Sequence, residues 1–390
     1  MPKFFFSPLW DCDENCLFCA KGKAPAGVKR RYTLRECLGI IGRKRREGYD
    51  ELSLDGGEPT LLPYLPRVIS RAFGLGYREV MLLTNASPLA DPGKAAALKA
   101  AAAAAGPGQS LGICVSLHSH KRAVSEALTA TAGSFDRTLR GLKNLRAAGL
   151  NFGLYHLITA GNYAALPEFA SFVLKEFPSV RMLTLSYIFP ASHTMKHMAI
   201  YPRLSAVQPY FARAVARLEK GGVRVSLSSC GVIPLCLLAG NERLFTDTFL
   251  HDGRRARTMD SSKSEAFPYF SDAFNRRNKV KAGACRGCAL DPVCGGIWKF
   301  YAEKYGTAEL KPYGPKYFAA LPARRGSVPV EPLAAGSYED PLGADLVRLL
   351  ALRFGGWAKA RFRGIKAGSS AAVRLKAFAA GIGYSRLDFG

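Results

Sequence analysis

The sequence predicts an α/β protein whose main body is a partial (β/α)6 TIM-like barrel, followed by a smaller C-terminal extension and a basic helical tail. The first observation is that strand-like and helix-like segments alternate over residues 1–222. The second is their spacing, because six units of roughly 36 residues each match a strand with its crossover helix. A closed eight-unit barrel typically needs about 250 residues, so six units predict a barrel that stays open.

The strand segments are rich in β-branched, aromatic and leucine residues and carry little charge. Strands that are buried on both faces of a parallel sheet have this composition. A seventh candidate strand begins at Gly222 and could pair with one edge of the sheet. The six main strand segments begin near Phe4, Glu51, Glu79, Leu111, Phe152 and Arg181.

Helices are predicted between these strands from capping and periodicity. Thr33 and Glu36 form a capping box that opens the first helix, TLRECLGIIGRKRREG. The segments FDRTLRGLKNLRAAG and YAALPEFASFVLKEF repeat apolar residues at three- and four-residue spacing. The alanine-rich run near Ala95 has low complexity but a high helix propensity, which predicts a helix rather than a linker.

Composition divides the rest of the chain. Residues 223–320 hold a second cysteine cluster, and their sequence is polar and basic from Thr246 to Lys281. Residues 321–345 are rich in proline and glycine and are expected to be a linker. Residues 346–390 contain nine Lys or Arg against one acidic residue and mix apolar and basic residues at helical spacing, so we expect a basic helical tail.

The overall composition excludes several classes of protein. The 390 residues carry 55 Lys and Arg against 30 Asp and Glu, a net charge of +25, and are 48% hydrophobic, which excludes wholesale disorder. No apolar stretch reaches the roughly 18 residues of a membrane-spanning helix, and the N-terminus lacks the features of a signal peptide. Ten cysteines are too sparse for a disulfide scaffold, and their grouping indicates metal ligation in a reducing cytoplasm.

The first cysteine cluster, Cys12-x3-Cys16-x2-Cys19, follows the first strand directly. Its loop belongs at the carboxyl end of the barrel strands, the face that carries the active site in βα barrels. Three thiolates on one loop can hold three corners of an iron–sulfur cubane and leave one iron open. A zinc site with a distant fourth ligand is the alternative, but zinc usually takes paired Cys-x2–4-Cys knuckles from two loops. The spacing therefore favours iron–sulfur over zinc.

This loop, with Phe18 before its last cysteine, resembles the hallmark of the radical S-adenosylmethionine (radical SAM) superfamily. Other segments resemble family motifs in strand order. The matching residues are Gly56-Gly57-Glu58-Pro59 after strand two, Thr84-Asn85 after strand three, Ser116-Leu117-His118 after strand four and Asn162 beyond strand five. The resemblance covers about Lys3 to Tyr313, and its motifs are specific only in combination.

The resemblance implies a catalytic [4Fe-4S] cluster on Cys12, Cys16 and Cys19, with S-adenosyl-L-methionine bound to its open iron. One-electron reduction then cleaves the cofactor to a radical that takes hydrogen from the substrate, which implies an electron donor such as flavodoxin or ferredoxin. The cofactor-binding residues implied are Gly56, Gly57, Glu58, Pro59, Asn85, Ser116 and Asn162.

Two positions depart from the family pattern. Ala86 stands where the family's T-N-G motif has glycine. Leu128 and Thr129 stand where some relatives carry an arginine that contacts the cofactor carboxylate.

The second cluster, Cys285-x2-Cys288-x5-Cys294, is as consistent with a zinc knuckle as with an iron–sulfur site when spacing alone is considered. Behind a radical SAM barrel it resembles the SPASM and twitch extensions, which carry auxiliary iron–sulfur clusters. Trp298 stands where the full SPASM pattern has a cysteine, and no cysteine follows Cys294, so the resemblance implies one auxiliary [4Fe-4S] cluster. Cys230 and Cys236 compete for the fourth corner, and we expect Cys236.

Three readings of function remain open. The main one is a radical SAM enzyme that modifies a peptide or protein, and a radical SAM enzyme acting on RNA or a small metabolite is an alternative. The third is a zinc-stabilised, basic nucleic-acid-binding protein. In the basic tail, aromatic residues alternate with cations; they are Phe354, Trp357 and Phe362. Such a tail could bind RNA, an anionic surface or an acidic peptide, and the alternative is a solvated surface without a partner. No catalytic residue is assigned. Four histidines are expected near the carboxyl end of the barrel strands, and we expect them to be polar loop residues rather than catalysts. They are His118, His120, His193 and His197.

Overall fold

A computed structural model describes residues 3–22, 24, 29–191, 193–228, 233–238, 240–252, 258–260, 277–332 and 341–390. The chain forms two compact units. The boundary of the first unit lies beyond residue 222, where composition placed the end of the barrel. The first unit comprises Met1–Pro202, Arg213–Gly231 and Arg257–Phe267, and the second comprises Arg203–Ala212, Val232–Ala256 and Pro268–Gly390.

The first unit contains an eight-stranded parallel sheet in the order β7-β6-β5-β4-β3-β2-β1-β8. The first seven strands neighbour one another in chain order, as in an open (β/α) barrel, which confirms the predicted fold class. The strands are β1 Lys3–Leu9, β2 Glu51–Gly56, β3 Glu79–Thr84, β4 Ser110–Ser116, β5 Gly153–Ile158, β6 Met182–Tyr187, β7 Arg224–Leu227 and β8 Thr258–Asp260.

The two edges of this sheet differ in how well the sequence indicates them. β7 pairs with β6 where the seventh strand was expected. β8 pairs with Lys3–Phe5 of β1 and lies in the polar, basic segment for which no strand was predicted. It has three residues, too few for a periodic signal to appear in the sequence.

The helices of this unit alternate with the strands. Thr33 and Glu36 form the predicted capping box at the start of the first helix. The alanine-rich run is helical, and its helix is capped by Asp91, which accepts from the backbone of Gly93. The helices are α1 Leu34–Arg46, α2 Leu65–Gly74, α3 Pro92–Ala102, α4 Arg122–Thr129, α5 Ser134–Ala147 and α6 Leu166–Glu176. The next helix, α7 Leu204–Lys220, is divided between the two units, because residues up to Ala212 belong to the second.

The core of the first unit lies along the strands, where Phe6, Leu54 and Leu82 are fully buried. Cys37 and Cys114 are also buried, as expected for core thiols. Because all the strands are parallel, their carboxyl ends meet at one edge, which is the face that carries function in barrels of this kind. Among the described residues, no helix is long and apolar enough to cross a membrane.

The second unit begins with short elements around the second cysteine cluster. Strands β9 and β10 pair antiparallel. Gly296 precedes β10 with φ +84°, and a Cβ at this position would lie 2.3 Å from the carbonyl oxygen of Val280 in β9. The elements are α8 Arg243–Asp252, β9 Lys279–Val280, β10 Ile297–Trp298, α9 Lys299–Tyr305 and α10 Pro315–Ala319.

The last part of the second unit is a β-α-β-α-β module with a parallel sheet in the order β11-β12-β13. One strand falls in the expected linker, and two accompany the expected helices of the tail. Each strand has only three or four residues. Over so short a segment, alternating charged and apolar residues cannot be told from part of a helical pattern, so the sequence did not predict these strands. The elements are β11 Val328–Val330, α11 Pro341–Phe354, β12 Lys359–Phe362, α12 Ser370–Gly381 and β13 Arg386–Phe389.

Candidate iron–sulfur and cofactor site

The cysteine loop, residues 10–22, follows β1 and is held by distant backbone groups. Asn15 N donates to the carbonyl of Thr129 at 3.0 Å, and Leu17 N donates to the carbonyl of Leu128 at 3.0 Å. Leu128 and Thr129 are the positions where some relatives of the family named above carry an arginine. Here their backbone fixes the loop that carries Cys16.

The turn after β2 packs directly against the start of the cysteine loop. Gly57 N donates to Leu9 O at 2.9 Å, and Glu58 N donates to Asp11 O at 2.8 Å. A Cβ at Gly56 would lie 2.2 Å from Leu9 O, and one at Gly57 would lie 1.9 Å from Asp11 O. Only glycine permits this approach, which explains the Gly-Gly pair physically.

Glu58 is buried, and its carboxylate is tied to the end of β3. Oε1 accepts from Thr60 N at 3.0 Å and from Thr84 Oγ1 at 2.7 Å, while Oε2 accepts from Asn85 N at 2.7 Å. Burial raises the pKa of Glu58, and these hydrogen bonds oppose the shift. Asn85 Nδ2 in turn donates to Asp13 Oδ1 at 2.8 Å. One polar chain therefore connects the turn after β2, the end of β3 and the cysteine loop.

Ala86 occupies the position where the resembling motif has glycine. Its φ is +58°, in the left-handed region that costs a non-glycine residue roughly 1–2 kcal/mol. Its N–H donates to Thr84 Oγ1 at 2.8 Å, which helps to hold this conformation. Ala86 therefore adopts the backbone conformation that glycine would favour at this position.

The ends of β4 and β5 are joined by Asn162. Its Nδ2 donates to the carbonyls of His118 at 2.8 Å and Leu157 at 2.7 Å, and its Oδ1 accepts from Thr159 N at 2.7 Å. Both amide hydrogens are thus used within the protein, so any contact of Asn162 with a ligand would have to use Oδ1. Ser116 ends β4, where it is half-buried.

The neighbouring histidines are structural in this geometry. His118 Nδ1 accepts from Leu157 N at 3.0 Å, and its ring meets Phe18 edge-on at 4.5 Å. Burial, with a smaller effect of His156, lowers the pKa of His118 to about 3, so the ring stays neutral. His193 also contacts the cysteine loop, with Nε2 at 3.3 Å from Cys16 O.

Acidic groups lie near the thiols of the cysteine loop. Burial raises the pKa of Cys12 to about 12, with further effects of Glu58, Asp13 and Glu14, although a backbone hydrogen bond opposes the shift. Burial also raises the pKa of Cys16 well above its usual range, and Cys19 and Cys12 contribute to that shift. The three thiols are therefore close enough to interact, and a cationic metal group would offset the cost of ionising them.

Arg137 is a residue that the sequence analysis missed. Its Nε donates to Ser87 Oγ at 2.8 Å, and its charge opposes the rise of the Glu14 pKa, which burial brings to about 7. Arg137 lies in the first turn of α5. The signal that could have found it is this position, because a helix that follows a barrel strand begins near the carboxyl edge of the sheet.

The donor set at this loop fits an iron–sulfur cluster. Three cysteines share one short loop, and Gly22 N donates to Cys19 Sγ at 3.3 Å, the kind of N–H to sulfur bond that surrounds such clusters. Within the described residues, no group of three or more His, Cys, Asp or Glu side chains is placed to hold a single metal ion.

A second group of thiols lies in the second unit. The predicted set, Cys236, Cys285, Cys288 and Cys294, lines a single cavity. Burial raises the pKa of Cys236 to about 11, and the other three thiols add to the shift, which places all four within electrostatic reach. Tyr313 N donates to Cys288 Sγ at 3.3 Å. Cys230, the competing candidate, lies outside the described residues.

An open parallel barrel with three cysteines after its first strand and a Gly-Gly-Glu turn packed on their loop defines a class of cluster-dependent enzyme fold. Residues 11–173 match the sequence profile of the Radical SAM superfamily. The matched residues therefore form a radical SAM domain. Members of this superfamily use a [4Fe-4S] cluster and S-adenosylmethionine, the two cofactors that the sequence analysis named.

The relatives of known sequence or structure extend this result. Mycofactocin maturase MftC of Mycobacterium tuberculosis is 29% identical over 177 residues, which cover 45% of this chain and 42% of that protein. The counterpart in Mycobacterium ulcerans is 24% identical over 313 residues, 73% of this chain and 79% of that protein. The crystal structure of Streptococcus suis SuiB bound to S-adenosylmethionine has a TM-score of 0.52 at 15% identity and covers 80% of this chain and 76% of that one. This structural likeness concerns the fold.

Proposed function

We propose that the protein is a radical SAM enzyme that modifies a peptide or protein by hydrogen abstraction. The observation that carries the proposal is the packing of the Gly56-Gly57-Glu58 turn on the cysteine loop, where a Cβ at Gly57 would meet Asp11 O at 1.9 Å. Such contact supports a cluster on this loop with its cofactor bound beside the turn. In this proposal Cys12, Cys16 and Cys19 hold the cluster.

When bound, the cluster and S-adenosylmethionine supply a one-electron cleavage that yields a hydrogen-abstracting radical. The chain's own residues would bind and orient the cofactor. Glu58 is already fixed by Thr84 and Asn85, so its carboxylate is preorganised to accept a hydrogen bond from an ammonium group. Arg137 would take the cofactor carboxylate, the role left open by Leu128 and Thr129.

The substrate class is supported by the named relatives. SuiB, whose fold this chain shares, was solved bound to the precursor peptide SuiA, and MftC is a maturase. The match to the M. tuberculosis relative spans less than half of that protein, so the substrate and the whole activity are part of the proposal. A reductant of the flavodoxin or ferredoxin type would deliver the electron.

The four-cysteine cavity of the second unit would hold one auxiliary [4Fe-4S] cluster. Its support is the convergence of Cys236 with Cys285, Cys288 and Cys294 on a single cavity. Four protein thiolates leave no iron free for substrate, so electron transfer or structural support is the role that fits the donor set.

Anaerobic purification tests the proposed function directly. A brown protein with about eight irons per chain that forms 5′-deoxyadenosine from S-adenosylmethionine and dithionite is the expected result. A colourless protein that carries zinc and gives no 5′-deoxyadenosine would contradict it and favour the nucleic-acid-binding alternative.

Glu58→Gln tests the role of the buried carboxylate. A charge-assisted hydrogen bond is worth roughly 1.5–3 kcal/mol, so affinity for S-adenosylmethionine should fall about 10- to 150-fold. Equilibrium dialysis against the reconstituted enzyme measures it, and thermal unfolding checks that the bonds to Thr84 and Asn85 survive. Glu168→Gln, at an exposed position of α6, removes the same charge and should leave affinity unchanged. Equal affinity in both variants would mean that Glu58 serves only the turn.

A further inference from the structure

The β-α-β-α-β module places its two helices on one side of its sheet. The strands lie in the sheet in chain order, β11-β12-β13, so both crossover connections move in the same direction across the sheet. Because such connections are right-handed, α11 and α12 lie on the same face. Val330, Ala360 and Phe362 are buried on this face, and the rings of Phe362 and Phe389 stack at 6.0 Å. The opposite face is not covered by these helices.

That opposite face is basic. Because side chains alternate along a strand, Lys359 and Arg361 point away from the helices, and Trp357 and Arg363 continue the alternation at either end of β12. Lys359, Arg361 and Arg363 are all exposed, and Arg386 of β13 lies opposite Lys359 in the register. These five side chains make up what we call the basic sheet face.

The cations of this face differ in their partners. Arg386 pairs with Asp388 at 2.8 Å, and Arg363 pairs with Glu331 at 3.8 Å. In the part of the chain that the structure describes, neither Lys359 nor Arg361 has an ion pair within 4.0 Å. Two unpaired cations therefore stand at the centre of an exposed parallel sheet, a kind of sheet that is usually covered on both faces.

We propose that the basic sheet face binds an extended acidic segment of a peptide, with carboxylates at alternate positions. Side chains two apart on an extended chain are separated by about 6.6 Å, the same spacing as Lys359 and Arg361 on β12. Trp357 is half-buried at one end, with Arg324 5.5 Å from its ring centroid, and offers apolar contact to a neighbouring side chain.

Charge complementarity favours a short acidic segment over a polyphosphate. Asp388 lies opposite Arg361 in the register, and Glu331 pairs with Arg363, so acids stand among the cations of this face. A continuous chain of phosphates would meet these acids as well as the cations, whereas a short segment can place its two carboxylates at Lys359 and Arg361. Identification of this peptide as the substrate rests on the proposed function. Binding itself needs no cluster.

The test measures binding of a fluorescein-labelled peptide, Gly-Ser-Glu-Val-Glu-Val-Ser-Gly, to the full-length protein by fluorescence anisotropy. Lys359→Glu with Arg361→Glu should weaken binding about tenfold or more, since two attractions become repulsions. Arg67→Glu with Arg71→Glu makes the same change of net charge on exposed positions of α2 and should have an effect below about threefold. A peptide with adjacent glutamates should bind more weakly than one with alternating glutamates.

Three outcomes would overturn the proposal. Equal losses in the two charge-reversal variants would mean that binding reports only net charge. Tighter binding of oligo(U) RNA or of vesicles containing phosphatidylserine, lost in the Lys359/Arg361 variant, would make the face a nucleic-acid or membrane site. No binding of the alternating peptide at low salt would exclude this occupant. Lys359→Gln with Arg361→Gln is a control for misfolding, because its thermal unfolding should match that of the parent protein. Unchanged 5′-deoxyadenosine formation in the variants would show that a failure of this proposal is not a failure of the proposed function.

Discussion

Replacing Cys12, Cys16 and Cys19 together by alanine should abolish reductive cleavage of S-adenosylmethionine. The three thiols lie on one loop, and Cys19 and Cys12 both raise the pKa of Cys16. The expected loss is about four irons per chain and all measurable 5′-deoxyadenosine, with the absorbance of the auxiliary cluster retained. Iron analysis and chromatography of the products measure both.

The buried thiols offer a matched control for this experiment. Cys37→Ala with Cys114→Ala removes thiols from α1 and β4 and should change neither iron content nor cleavage, because both side chains are packed in the core. Undiminished 5′-deoxyadenosine in the loop variant would show that the catalytic cluster is held elsewhere. Loss of activity in the core variant would indicate general destabilisation instead.

The second large effect is expected at the four-cysteine cavity. Cys285→Ala with Cys288→Ala should remove about four irons and destabilise the segment from Gly283 to Tyr305, because metal binding is coupled to folding of the site. Uncoupled cleavage of S-adenosylmethionine should persist at least partly, since the cysteine loop belongs to the first unit.

Iron analysis and limited proteolysis measure these effects. The converse variant, which lacks Cys12, Cys16 and Cys19, should show the complementary pattern, with the auxiliary cluster present and cleavage absent. If the Cys285/Cys288 variant kept its full iron content, no cluster would be bound there. The Cys-x2-Cys segment would then be a zinc knuckle or a plain turn.

The barrel is predictable because its signals are long and repeated. Six apolar strands at regular spacing and the Thr33 capping box indicate the fold before any contact is known. The Gly-Gly-Glu turn is identified by its resemblance to a family motif, and the structure supplies the physical reason for it, since only glycine allows the backbone of Leu9 and Asp11 to approach so closely.

The rest depends on contacts that the sequence does not display. β8 and the strands of the C-terminal module have three or four residues, which is too short for periodicity to separate them from helix or loop. Asn162 has the expected position, but only the structure shows that its amide hydrogens are used by the backbone. The place of Arg137 in the first turn of α5 indicates which edge of the sheet it is near, but only the structure shows that its charge acts on Glu14 of the cysteine loop.

The tether of the cysteine loop to α4 has a consequence for the order of maturation. Asn15 and Leu17 depend on the carbonyls of Thr129 and Leu128, which the ribosome adds only after four strands have been made. Because a nascent chain grows at about 5–20 residues per second, the three cysteines are exposed for several seconds before their backbone support exists. We therefore expect iron insertion at the proposed cluster site to follow the folding of the first half of the barrel.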